Sequence, residues 1–165
     1  MVETFRPLPP QEAGRRGAEA LAAERGGSLA WCGPAAVALA GGTSYAMACA
    51  LLRGVAPQRY APEGDIVTAY WRDVVQALAE LGVGAERLPL VAPRPTLLGL
   101  VRRGGLPPGL YLVRVTGHFL LLRLHGFGLA EVHDNRLSGA MLTARSHGRC
   151  RVTHLARLAE AAPPD

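Results

Sequence analysis

"LAWCGPAAVALA", residues 29–40, sets a cysteine directly ahead of Gly-Pro and a run of small apolar residues. Pro34 suits the first turn of a helix, where a missing N–H costs nothing. Gly41-Gly42 supplies a stop. The stretch therefore predicts a short helix with Cys32 at its N-terminus. Two readings of that cysteine stand side by side. Cysteine is among the most buried residue types, so it can be simple core packing. A thiol at a helix N-terminus also ionises readily, because the free N–H groups and the dipole favour the anion.

Working outward, no charged residue occurs from Ser28 to Leu52, and Arg25 and Arg53 flank the run. Its length would suit a membrane span. However, Pro34, Gly41, Gly42, Thr43 and Ser44 break it, and small residues outnumber leucines. Two short buried helices with a turn at 41–44 are expected instead, and no membrane span. Thr43 or Ser44 caps the second, "SYAMACALLR" (44–53), which Gly54 and Pro57 end. Upstream, residues 1–10 carry three prolines and read as an extended arm. Residues 11–27 read as helix interrupted by Gly14 and Gly17.

Downstream, Asp65 is the expected cap of a long helix over 66–82, with Val67, Tyr70, Trp71, Val74, Val75, Leu78 and Leu81 along one face. "ERLPLV" (86–91) reads as a short strand. Thr96 caps "LLGLVRRG" (97–104), with Arg102-Arg103 a solvated end. The texture then changes. "GLYLVRVTG" (109–117), "HFLLLRLHG" (118–126) and "GLAEVHDN" (128–135) read as an antiparallel meander, with "AMLTAR" (140–145) and "CRVTHLARL" (150–158) as further strands. Helices first and strands second mean an α+β domain over 11–158, with 159–165 a flexible tail.

Composition narrows the function. The net charge is +5, and all 18 basic residues are arginine, scattered without a basic block, so no nucleic-acid partner is expected. Three cysteines without regular spacing argue against a disulfide framework. No signal peptide is visible, and a reducing, cytoplasmic setting fits. His118, His125 and His133 could meet across a hairpin. Yet neither they nor His147, His154 and Cys150 form a Cys-x-x-Cys or His-x3-His pair, so no metal is expected. Lysine is absent and no phosphate loop occurs, so no cofactor is expected either.

A thiolate nucleophile needs a base held by a third group. His118 follows Gly117 at the start of an apolar strand, and Asp134 and Asn135 end the next one. Sixteen residues separate His118 from Asp134, one strand out and one strand back. Backbone N–H groups at the start of the helix could receive an oxyanion, and Gly33 would let a substrate carbonyl approach.

The ordered set "WCGPAAVALAGG", "SYAMACALLR", "VTGHFLLLRL" and "VHDN" resembles papain-like cysteine peptidases. Within them it is most similar to those that process double-glycine bacteriocin leaders and to small stand-alone bacterial or phage relatives. The resemblance touches residues 28–135. It implies a papain-like fold with helices packed on a C-terminal antiparallel sheet, and hydrolysis of a peptide or isopeptide bond in a peptide or protein substrate. By resemblance Cys32 is nucleophile, His118 base and acid, and Asp134 the orienting group, with Asn135 its rival. One departure stands out. Such peptidases carry a Gln about six residues before the Cys, and here "GGSLAW" (26–31) has none. Ser28, the Trp31 indole or Gln11 are the substitutes, and Gln58 and Gln76 are not placed locally. The same triad would also serve an acyltransferase or transglutaminase-like enzyme, and the departure leaves room for a non-catalytic module, for instance phage-encoded.

Overall fold

The computed structural model describes residues 17–159; the expected arm at 1–10, the helix start at 11–16 and most of the tail lie outside them. The chain is α+β. Helices α1 (Ala18–Glu24), α2 (Cys32–Gly41), α3 (Tyr45–Val55) and α4 (Trp71–Glu80) precede the sheet, and α5 (Leu97–Arg103) follows its first strand. The strands are β1 (Ala85–Arg87), β2 (Gly109–Val115), β3 (His118–Gly126), β4 (Leu129–His133), β5 (Ser138–Met141) and β6 (Val152–Leu158). They form one antiparallel sheet in the order β1-β6-β2-β3-β4-β5.

The sheet is covered on both faces. Leu112, Phe119, Leu121 and Leu158 pack with Leu21, Val37, Leu52, Val74 and Leu78 of the helices. Tyr111, Val113, Leu120, Leu122, Val132 and Leu155 pack on the other side with Leu97. Double coverage explains why β3 is a near-continuous apolar run rather than an alternating one. Each fully buried leucine contributes about 1.5–3 kcal/mol.

Helix α2 lies at the centre, buried from Gly33 to Ala38 and contacting α3, α4 and β3. A helix apolar all round belongs in such a place. Gly42, at φ 62°, ends it with a bond to Ala38 O, and Ser44 caps α3 by accepting from Met47 N–H. The Glu24 carboxylate accepts from Tyr45 and Ala46 N–H, an anion at a helix N-terminus. The uncharged run is thus two helices bent by 107°, and among the described residues no single helix is long and apolar enough to cross a membrane.

Four expectations are corrected. The helix expected from residue 66 begins at Trp71, and residues 66–70 are extended. Asp65 pairs with Arg25 at 2.7 Å instead of capping. Ile66 and Ala69 turn inward while Val67 and Tyr70 stay exposed, an i, i+3 pattern that the inward-facing side chains of an irregular segment meet as well as a helix does. The segment is held by Tyr70 N–H on Tyr60 Oη, by Tyr60 Oη–H on Asp73 Oδ2, and by the Arg59–Asp73 pair. Trp71 then stacks on His154 and Phe119 of the sheet. The strand expected at 86–91 is only Ala85–Arg87. The strand expected at 140–145 is displaced to Ser138–Met141, because residues 144–148 form a wide turn closed by Gly148 N–H on Thr143 O. On the Cβ side of Gly33 the space is filled by the Ala69 methyl, which a side chain there would overlap.

Candidate functional site

Strand β3 runs past the end of β4. The register of the pair ends at Leu121 with His133, so His118 and Phe119 have no β4 partner. The N-terminus of α2 reaches this open corner. The Cys32 thiol there lies beside His118 and the backbone N–H groups of Phe119 and Gly33, all of which favour its anion.

Asp134 follows β4 directly. Its Oδ1 accepts Arg136 and Leu137 N–H, both at 2.7 Å, which locks the turn. Its Oδ2 accepts His118 Nε2–H at 2.7 Å. With Nε2 on the carboxylate, Nδ1 is the ring nitrogen left for Cys32. One imidazole therefore stands between thiol and carboxylate, bonded to the carboxylate. Asn135 is not the third member. Its Nδ2 donates to Ala30 O at 2.7 Å, and its Oδ1 is buried without a partner. It ties the turn after β4 to the segment that leads into Cys32.

The electrostatics follow. Burial pushes the Cys32 thiol up, but the bonds from His118, Phe119 and Gly33 and the His118 charge outweigh it, so the thiol lies below its ordinary value. Burial pulls His118 down, but Asp134 and Cys32 raise it further, to about 9. Burial raises Asp134 too, yet the bonds from His118, Arg136 and Leu137 hold it well below the usual carboxylate range. These directions favour a thiolate–imidazolium pair. By contrast, burial pushes Cys49 up.

The structure adds a residue that the spacing of motifs did not reveal. His147 Nε2 also lies on Asp134 Oδ2, at 2.8 Å, and its ring stacks on His118 with centroids 4.6 Å apart. It sits in the wide turn at φ 68°, a left-handed conformation that costs a non-glycine residue about 1–2 kcal/mol. Residue 147 lies between the strands expected at 140–145 and 150–158, and no element is expected there. The available signal was Thr143-x-x-Ser146 followed by Gly148, a capped turn ending in glycine. His118, Asp134 and His147 thereby bring three ligand-type atoms together, a grouping the spacing rules did not anticipate. The hairpin trio of His118, His125 and His133 does not form; His125 and His133 gather at Glu131 instead.

The oxyanion candidates are dispersed. Ser28 is exposed in the turn after α1, and Trp31 is the partly exposed N-cap of α2, its N–H on Tyr45 Oη. Gly117, at φ 71°, forms the β2–β3 turn and aims the chain into His118. Gln58 and Gln76 line a groove beside α3 and α4 that does not include Cys32. Gln11 lies outside the described residues. The first helical bond of α2 is Ala35 N–H to Trp31 O, so Cys32 N–H precedes the helical ladder.

Comparison with protein-family models, with curated proteins and with solved structures gives no match to this chain.

Proposed function

We propose that the chain is a thiol hydrolase of the papain-like cysteine-peptidase kind, acting on a peptide or isopeptide bond. The observation that carries this reading is the single His118 ring, hydrogen-bonded to Asp134 at 2.7 Å and set beside the Cys32 thiol at the start of α2. In this mechanism the Cys32 thiolate attacks the carbonyl carbon. The His118 imidazolium gives its Nδ1 proton to the departing amine, which leaves a thioester on Cys32. His118, now neutral, takes a proton from water; the hydroxide attacks the thioester, and Cys32 departs as thiolate with the acid product. Asp134 keeps the Nε2–H tautomer throughout, so Nδ1 is the nitrogen that handles protons. Cys32 N–H is the local donor for the oxyanion. An amine replacing water would give acyl transfer with the same residues, and product analysis with added amine separates the two.

The test is competitive labelling with iodoacetamide at pH 6 and mass spectrometry of the three cysteines. Cys32 should react about tenfold faster than Cys49 and Cys150, as a depressed thiol does at acid pH. Equal rates would overturn the proposal.

A further inference from the structure

We propose that His147 is a positioning residue for the Cys32–His118 pair, sharing Asp134 Oδ2 with His118 and holding the His118 ring by stacking on it. The proposal rests on the thiol reading above. A carboxylate only accepts, so both Nε2 atoms at 2.7 and 2.8 Å carry protons, and one oxygen serves two imidazoles.

The turn that presents His147 is over-determined. The Ser146 hydroxyl accepts Thr143 N–H and donates to Met141 O, both at 2.7 Å. Gly148 must be glycine, since a Cβ there would overlap Thr143 O. Cys150 N–H bonds His147 O at 2.9 Å. These bonds keep His147 in its left-handed backbone and its ring on Asp134.

The separations are those of shared protons. Ligand atoms 2.0–2.2 Å from a tetrahedral ion stand about 3.3 Å apart, and both contacts to Oδ2 are shorter. From α2 Cys32, from the turn after β4 Asp134, and from the wide turn His147 face the His118 ring. Donation from His147 spends part of the Oδ2 charge. His118 is thus held in place while its proton stays less tightly bound than Asp134 alone would make it.

The test follows the His118 ring Cε1–H by NMR from pH 6 to 11 in the wild type, His147→Phe and His147→Gln. Phe keeps the stack and removes the donor, leaving Oδ2 to His118 alone. The His118 midpoint should rise above its starting value of about 9 by about one unit, the worth of one hydrogen bond to a charge. Gln restores a donor and should bring the midpoint back. Circular dichroism and Tm establish that the variants are folded. An unmoved midpoint in folded His147→Phe, or equal shifts in both variants, would overturn the proposal. So would stoichiometric zinc binding by the wild type that His147→Phe abolishes. The readout is a His118 titration, so it stands apart from Cys32 labelling; a slow Cys32 with a movable His118 midpoint would sink the hydrolase reading alone.

Discussion

Asp134→Asn separates charge from geometry at the candidate site. The turn should survive, because an amide oxygen can still accept Arg136 and Leu137 N–H in place of Oδ1. What replaces Oδ2 is an NH2 group facing His118 Nε2. Two donors cannot meet at 2.7 Å, so the ring must move its proton to Nδ1, the nitrogen on Cys32. That tautomer cannot take a proton from the thiol. The charge effect has the same sign. His118 stands at about 9 against an ordinary 6.5, a difference worth about 3 kcal/mol, shared between Asp134 and Cys32. Removing a charged hydrogen bond of about 1.5–3 kcal/mol lowers His118 by about one to two units. The assay is the pH profile of alkylation by iodoacetate. This anionic reagent reacts fastest with the thiolate–imidazolium pair, so the acid limb reports Cys32 and the alkaline limb reports His118. In Asp134→Asn the alkaline limb should move down by that amount, and substrate turnover should fall on the order of 10²- to 10⁴-fold. A profile superimposable on the wild type would refute the role of Asp134.

Two further outcomes are expected. Gly33→Ala should destabilise the fold by about 1–3 kcal/mol, because its methyl would overlap Ala69; Ala69→Gly in that background should recover much of the loss, and urea unfolding of the four proteins that shows no coupling would contradict the contact. In a Cys32→Ser background, His118 should stabilise the fold fully below pH 6.5, and the benefit should fade as pH rises above it, since the bond to Asp134 still raises its basicity in the folded state; a stability difference from His118→Phe that grows as pH rises would be the wrong sign.

The parts legible in the sequence were those in which local chemistry and packing agree. Ser44 and Thr96 cap their helices as their side chains suggest, and β2, β3 and β4 follow the apolar runs. A helix start and a hairpin can be placed from short motifs, and the hairpin brings His118 onto Asp134. The start of α4 was hidden because residues 66–70 are held by tertiary bonds from Tyr60 and Asp73, which no local pattern announces. His147 was hidden for a related reason. Its value comes from a left-handed backbone in a wide turn, and spacing rules for strands and metal sites do not register that geometry. The missing upstream Gln was visible at once, and among the described residues Gln58 and Gln76 lie elsewhere.

The meeting of Cys32 with His118 straddles two layers: the thiol rides on a helix, and the imidazole on a sheet strand 86 positions later in the chain. The helix start lowers the thiol in part, and the imidazole and backbone of the strand add the rest. During synthesis Cys32 emerges long before β3. The full depression of the thiol therefore requires the sheet to close on α2. Parting of helix from strand would remove the contributions of His118 and Phe119 and leave only that of Gly33.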